Sequence, residues 1–545
     1  MLKLIEKNSL VSICVLVAIM LLPNLDTIQV TIMEARNFIT AREMVQEGHW
    51  LLTTMNGEPR YEKPPLPTWL AAISSLVFGI KSVFGLRLPA VIMIMITGIF
   101  IYKLSNLLLE NNPHSLIIAL IAVTSFYIIC IIIEAPWDIF THGFTLIAIV
   151  HLFQLFQKEH TFWKHTLLAG IFIGLSFMCK GPVSMYGLLL PFLIAYGFTY
   201  RYSNFKVKAF SYFSVILLTL IIGGWWFAYV KFQDPSTLEA ITKKETGNWS
   251  SYNVRPFYYY WSFFIQSGLW TIPAFISLLF PYLKNRVSDK KAYTFSFLWT
   301  ILAVVLLSII PEKKSRYLMP VLIPLAMNIG FYIEYLLRRF KDLKDKRETF
   351  PVYLNFGLIA SIGIAFPAFT YFFLKDHLTG YWFWYILSSL VLFGIGVLIF
   401  NHLIKKNIKE VFLLTVFFFA SVLLTALPLS NAFIDNNFKP ITQLKTQADN
   451  EQLKVYGFNY ISPEMIWQFG APIPAIKGKN GEIHFPTENK FGLLVNGISP
   501  EDESKLKALY NLKKMATYDL NQVAPDTRKY NGRLLNHYYI LTKKK

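Results

Sequence analysis

The sequence predicts an all-α polytopic membrane protein of about thirteen transmembrane helices, with a large first external loop and a small soluble α/β domain at its end. Three observations predict it. Of the 545 residues, 54% are hydrophobic and only 16% charged, and mean hydropathy is +0.43. Apolar runs recur until about residue 427, and a bilayer crossing needs roughly 17–25 such residues. From 435 to 545 the composition turns polar, with short strand-like runs between helix-like stretches.

The first apolar run, about 10–23, follows Lys3 and Lys7 and has no small-x-small cleavage pattern before Pro23. An uncleaved first helix is expected. Strongly basic short loops stand at 201–208, 282–292, 338–350 and 401–410, with a weaker one at 158–165. Cytoplasmic loops collect Lys and Arg, so these loops are placed inside. Two apolar segments lie between each consecutive pair, and the turns between them face outward: Lys180, 231–260, 311–315 and 375–379. By the same alternation, 134–138 is outside and 109–114 inside. The segment at about 66–80 is too short to cross, so it reads as an interfacial or re-entrant helix of an external loop covering about 26–85. The N-terminus is then cytoplasmic and the C-terminus outside.

The two domains are expected at 1–430, transmembrane, and 431–545, extracytoplasmic. Within the second, "LKVYGF", "FGLLVN" and "HYYILT" read as strands and "EDESKLKALYNLKK" as helix. No internal repeat or low-complexity segment stands out. The net charge of +19 suggests nucleic acid at first sight, but much of the excess sits in short loops, where it sets topology and meets anionic lipid. Nucleic acid is excluded on that ground. Cys14, Cys130 and Cys179 fall in apolar runs without ligand spacing and read as small hydrophobes.

Charge gathers on the outer face. "GEPRYEKPPLPTWL" (57–70) carries Glu58, Arg60, Glu62 and Lys63 just before two prolines that start a helix. A lysine at a helix N-terminus suits an anion such as phosphate. "MEARNFITAREMV" adds Glu34 and Arg36, "EAPWDIF" adds Glu134 and Asp138, and "CKGPV" adds Lys180. The turn at 231–260 brings Lys243, Lys244, Glu245, Arg255 and "PFYYYW"; "PEKKSRYLMP" brings Lys313, Lys314, Arg316 and Tyr317. Charges at membrane depth are costly and functional when they converge. Carboxylates facing a set of Lys and Arg suit transfer from a phosphorylated lipid: cations hold the departing phosphate, and a carboxylate orients or deprotonates the nucleophile. The aromatics at 257–261 either stack on a sugar or sit at the interface.

These motifs, in order, resemble the GT-C membrane glycosyltransferases, nearest the aminoarabinose lipid A transferases and their protein-mannosyltransferase relatives. "MEARN", "AREMV", "RYEKPPLPTWL" and "LRLPA" match the first external loop, followed by the second-loop Asp138, "KGP", "PFYYY" and "KKSRYL". The match covers roughly residues 1–340. The resemblance implies a polyprenyl-phosphate-sugar donor, lipid A or another glycan or protein as acceptor, and inverting transfer outside the cytoplasmic membrane. It assigns the acidic roles to Glu34 and Asp138 and the lipid phosphate to Lys63. Arg60, Lys180 and Arg316 assist phosphate or sugar, and Arg36, Arg255, Lys313 and Tyr317 complete the candidates for donor or substrate binding. Met33 stands where the family often has Asp, so the first motif keeps one carboxylate. Some relatives pair the glutamate of the EKPP motif with a histidine of the fourth outer loop to bind metal. This chain has no histidine between His165 and His377, so no metal ligand is assigned; Glu62 is left as a ligand or an ion-pair partner, and a divalent metal stays open. His49 reads as a surface residue, and His142 and His151 as helix-to-helix hydrogen-bonding groups. The competing class is a lipid or polysaccharide transporter, which should show internal symmetry and midplane polar residues. Neither is evident here.

Overall fold

The computed structural model describes residues 6–158, 162–203, 206–478 and 481–544. Lys3, and the middle of the loops at 158–165 and 201–208, lie outside them. The chain divides into two compact units. One holds residues up to Thr27, Tyr61–Leu70 and Arg87–Pro428; the other holds Ile28–Arg60, Ala71–Leu86 and Leu429–Lys545. The second unit thus combines most of the first external loop with the C-terminal domain, a partition that contiguous boundaries at 430 do not express.

The first unit is a helical membrane domain. Among the described residues, eight helices are long and apolar enough to cross a bilayer. A ninth is formed if the bent pair Asn112–Val123 and Phe126–Glu134 is one crossing. Ser9–Leu21, Leu66–Phe78 and Met185–Thr199 are shorter apolar helices, so helix length does not by itself establish thirteen spans. The stretch from 261 to 281, expected as a single crossing, is in pieces. A 3-10 segment, Phe263–Trp270, turns at Gly268 (φ 68°), and short helices follow at Thr271–Ser277 and Phe280–Leu283. Pro273 and Pro281 each lie in the first turn of one of these short helices, where the amide hydrogen that proline lacks is not needed. The Leu66–Phe78 helix has 13 residues, about 20 Å of rise, which is short of the hydrocarbon thickness as expected.

Polar side chains tie this apolar bundle together. Asn24 donates to the carbonyls of Leu423 and Leu424, both at 2.8 Å, where a π-helical turn (Val422–Ala426) loosens the last helix. Buried Asn328 bonds Ser296 (2.7 Å) and Thr300 (2.8 Å) on the neighbouring helix. His142 and Ser184 (2.9 Å), and His151 and His165 (3.1 Å), make the interhelical contacts expected of those histidines.

The second unit opens with the Ile32–Glu47 helix, started by Thr31 and Glu34 in a reciprocal capping box and ended by Gly48 at φ 79°. A two-residue hairpin follows, β1 (Thr54–Met55) against β2 (Glu58–Pro59). The C-terminal sheet is β3 (Val455–Gly457), β4 (Lys490–Val495), β5 (Tyr510–Asp519) and β6 (Leu535–Lys543), in the order β3-β4-β6-β5. β3 and β4 are parallel and the other pairs antiparallel. Phe458, Phe491, Leu493, Leu506, Tyr510 and Leu541 form its core. The expected helix over 501–514 stops at Leu509, and Tyr510 onward pairs with β6. Burying Tyr510 and Leu512 against that sheet outweighs a helical run of lysines on a solvated face. Phe38 packs edge-on against Trp467 (5.3 Å), and Asn56 makes two bonds to the backbone of Ile473, at 2.9 and 2.7 Å. The loop and the C-terminal domain are held together by these contacts.

Candidate functional site

In the membrane unit, three helix ends and one extended turn bring charge together. Pro136 and Trp137 open the Pro136–Gln157 helix, which places Asp138 in its first turn, 1% exposed. There the helix dipole favours a carboxylate. Lys180 is the last residue of the Trp163–Lys180 helix, and Gly181 at φ 64° turns the chain away behind it. The Lys180 ammonium donates to Asp138 Oδ1. Asp138 Oδ2 is buried and accepts no hydrogen bond from the described residues.

Lys63, presented by the Lys-Pro-Pro step, lies 4.3 Å from the ring centre of Trp137 and within electrostatic reach of Asp138. Tyr317 closes the other side. Its ring meets three cations: Lys180 at 5.1 Å, Lys314 at 5.6 Å and Arg316 at 5.8 Å. Its hydroxyl donates to Glu312 Oε1 (3.3 Å), which also accepts from Lys314. Tyr127 donates to Glu134 beside this group. Lys180 and Lys314 are also paired with carboxylates, Asp138 and Glu312, while the aromatic faces add further attraction for the cations without neutralising them.

Lys313 is placed otherwise. It is 3% exposed, and its ammonium donates to the carbonyls of Ile310 (2.5 Å) and Arg255 (3.2 Å). Burial pulls its pKa down. It joins the 253–255 strand-like segment to 311–313, where Val254 and Glu312 form a β-bridge. Lys313 is thus taken up by backbone carbonyls, whereas Lys314, one residue on, faces Glu312 and the ring of Tyr317. Arg255 is exposed, and its backbone amide is part of that junction (3.2 Å to Pro311). Trp137 and Glu312 are not singled out by the sequence, and Lys314 stands among its outer charges but not among the binding candidates. The alternation of an extended segment could have suggested Lys314, but nothing in the spacing marks Trp137.

Near the same helices, Tyr61 donates to Asp234 (3.2 Å), and burial together with that carboxylate pushes its hydroxyl up to about 12. Beneath Asp138, Thr141, Thr145 and Ser176 share hydroxyl bonds of 2.8–3.0 Å. These satisfy the helix interior rather than the site.

The other candidates lie in the second unit. Glu34 is fully buried, and its carboxylate accepts from the Thr31 amide at 3.0 Å, completing the capping box. Arg60 donates to the Arg36 carbonyl (2.6 Å) and Thr40 Oγ1 (2.7 Å), so it braces the loop helix. The Arg36 side chain is half-buried, and its Nε has no hydrogen-bond partner among the described residues. Glu62, in the membrane unit, is exposed, and the sequence has no histidine between His165 and His377 to serve as the fourth-loop partner that some relatives use. Among the described residues, Glu43, Glu47 and His49 lie close enough to share an ion. The Glu43 carboxylate is already taken by Thr54 Oγ1 (2.6 Å) and the Asn56 amide (2.6 Å).

Fold and site define a multi-pass helical membrane protein with a cationic cluster around one buried carboxylate. Residues 62–226 match the family described as dolichyl-phosphate-mannose-protein mannosyltransferase. The chain is 26% identical over 385 residues to undecaprenyl phosphate-alpha-4-amino-4-deoxy-L-arabinose arabinosyl transferase 1 of Proteus mirabilis, covering 66% of this chain and 67% of that one. It is 25% identical over 308 residues to an uncharacterized protein of Aquifex aeolicus, 56% of this chain and 60%, under two thirds, of that one. The crystal structure of ArnT from Cupriavidus metallidurans bound to undecaprenyl phosphate superposes with a TM-score of 0.65 at 14% identity, covering 97% of both chains. The fold is therefore ArnT-like. The resemblance to GT-C glycosyltransferases of the aminoarabinose-transferase and protein-mannosyltransferase type is borne out.

Proposed function

We propose that the protein transfers a sugar from a polyprenyl-phosphate donor to lipid A or another surface acceptor, on the outer face of the cytoplasmic membrane. The observation that carries this is the set of Lys63, Lys180, Lys314 and Arg316 gathered on the Trp137 and Tyr317 rings beside Asp138, whose buried Oδ2 has no hydrogen-bond partner among the described residues. The acceptor oxygen attacks C1 of the sugar from the face opposite the phosphate, and the anomeric centre inverts. The C1–O bond to phosphate breaks, and its electron pair leaves on polyprenyl phosphate. Preorganised cations stabilise that charge as it grows. Asp138 Oδ2 accepts a hydrogen bond from a sugar hydroxyl or amine. With a lipid A phosphate as acceptor, the nucleophile is already ionised and no base is needed. With a hydroxyl acceptor, Asp138 or Glu34 takes the proton. The match to the protein-mannosyltransferase family supports this second case, a hydroxyl on a protein. Glu34 is retained on resemblance alone, since its carboxylate also caps its own helix.

The test is mass spectrometry of lipid A from cells with and without the gene, beside Asp138→Asn and Glu34→Gln strains. Loss of one sugar mass in the deletion and in Asp138→Asn supports the proposal. Unchanged lipid A in the deletion points to a protein or other glycan as acceptor, and full activity in Asp138→Asn removes the carboxylate role.

A further inference from the structure

The Met319–Arg339 helix starts beside Tyr317 and ends, 21 residues and about 30 Å later, in paired arginines at the basic end of the bundle. A cavity of about 340 Å³ lies there, lined by Asn285, Arg286, Tyr335, Arg338, Arg339 and Asp342. Two of its three arginines are held in place, and Arg339 is exposed. Arg286 stacks on Tyr282 (4.2 Å) and donates to Glu348 (3.0 Å), while Arg338 donates to Glu334 (2.9 Å) and to the Arg286 carbonyl (2.8 Å). Glu348 is itself fixed by the hydroxyls of Tyr335 (2.7 Å) and Tyr282 (3.2 Å).

Arg286 also lines a second cavity of about 230 Å³, whose walls set Ile276, Leu279 and Pro351 beside Tyr282, Asp345 and Glu348. Beside Pro351, the Lys346–Leu374 helix leaves Phe350, Leu354, Leu358 and Ile362 exposed at four-residue spacing, a stripe along one face. Charge and apolar surface are thus adjacent at one membrane boundary, on the side the basic loops mark as cytoplasmic.

We infer that this is a binding site for an anionic diacyl phospholipid of the inner leaflet. The phosphodiester sits against Arg338 and Arg339, and the acyl chains run along the apolar wall and the Phe350–Ile362 stripe. Guanidinium groups suit phosphate because their planar fork offers several donors at once. A soluble phosphate would use the arginines but leave the exposed apolar stripe without a role. The site is independent of the transfer chemistry at the other end of the helix.

Native mass spectrometry of the purified full chain tests it, with phosphatidylglycerol, phosphatidylcholine of the same acyl chains, and glycerol phosphate as the soluble headgroup. Phosphatidylglycerol should bind, and Arg338→Gln and Arg339→Gln should each weaken it roughly fivefold, the worth of one basic residue near an anionic surface. Lys405→Gln, the same charge change in another basic loop, should leave binding unchanged. Arg286 is left intact, because its loss would strand Glu348. Equal loss in Lys405→Gln would reduce the effect to a general positive field and overturn the site. Equal binding of phosphatidylcholine would overturn the role of the arginines. Full competition by glycerol phosphate at matching concentration would replace the lipid by a free anion.

Discussion

Lys313 and Lys314 are neighbours in sequence and opposites in placement: the ammonium of Lys313 is bonded to the carbonyls of Ile310 and Arg255, while that of Lys314 reaches Glu312 and the ring of Tyr317. The backbone at Lys314 is extended (φ −135°, ψ 144°), so successive side chains leave on opposite sides. Lys314→Gln should lower transfer at least tenfold with little change in melting temperature. Lys313→Met should strand two buried carbonyls and cost about 1–3 kcal/mol of stability, leaving the donor KM near wild type. A thermal melt beside steady-state kinetics separates the two, and the opposite pattern would reverse the assignment.

The buried pair of Asp138 and Lys180 lends itself to a double-mutant cycle. Lys180→Met alone should cost about 3–5 kcal/mol, because it leaves an uncompensated carboxylate. Adding Asp138→Asn should restore most of that stability but no transfer. Activity in the refolded double variant would show that the pair is structural only.

Lys63 should act on the donor. Lys63→Ala is expected to raise the KM for the polyprenyl-phosphate sugar by tenfold or more and to leave the acceptor KM within about twofold. Trp137→Leu, which removes the ring beneath the ammonium, should shift the donor KM in the same direction by a smaller factor, since such contacts contribute about 0.5–2 kcal/mol. A larger change in acceptor KM would move the phosphate away from this lysine.

Asn56 occupies a left-handed position (φ 60°) and bonds the Ile473 backbone twice. Asn56→Gly keeps that conformation accessible and removes only the side-chain bonds. The expected loss is about 1–3 kcal/mol, read as faster amide exchange around Ile473 in the full-length protein. Unchanged exchange there would mean that the Phe38–Trp467 contact and the Arg42–Ile466 hydrogen bond hold the loop helix without the Asn56 bonds.

Orientation has its own check. With the three native cysteines replaced by serine, Thr379→Cys should react with an impermeant thiol reagent added outside intact cells, and Lys344→Cys should react only after lysis. Both positions are exposed, so access to the reagent is decided by the membrane.

Much of the membrane unit was legible because its signals are local. Apolar runs mark helices, and basic loops mark one end of them. The strands around Val455, Leu493 and Tyr539 also showed as short β-branched and aromatic runs. The errors fall where distant residues decide. Tyr510 leaves a helical pattern because β6, about thirty residues later, offers it a partner. The 261–281 stretch is apolar throughout, yet Gly268 and two prolines break it into segments that hydropathy averages away.

By itself the sequence determined the class of protein, the face on which charge collects and the motifs that resemble a lipid-linked-sugar transferase, since composition and short-range order suffice for each. Only the tertiary structure decided that Asp138 meets Lys180 from a helix forty residues away, that Trp137 lies under Lys63, and that Lys314 rather than Lys313 joins them. The physical reason is the same in each case. A side chain's partner depends on which helix ends meet and on which side of an extended strand it emerges, and neither is written in its local neighbours.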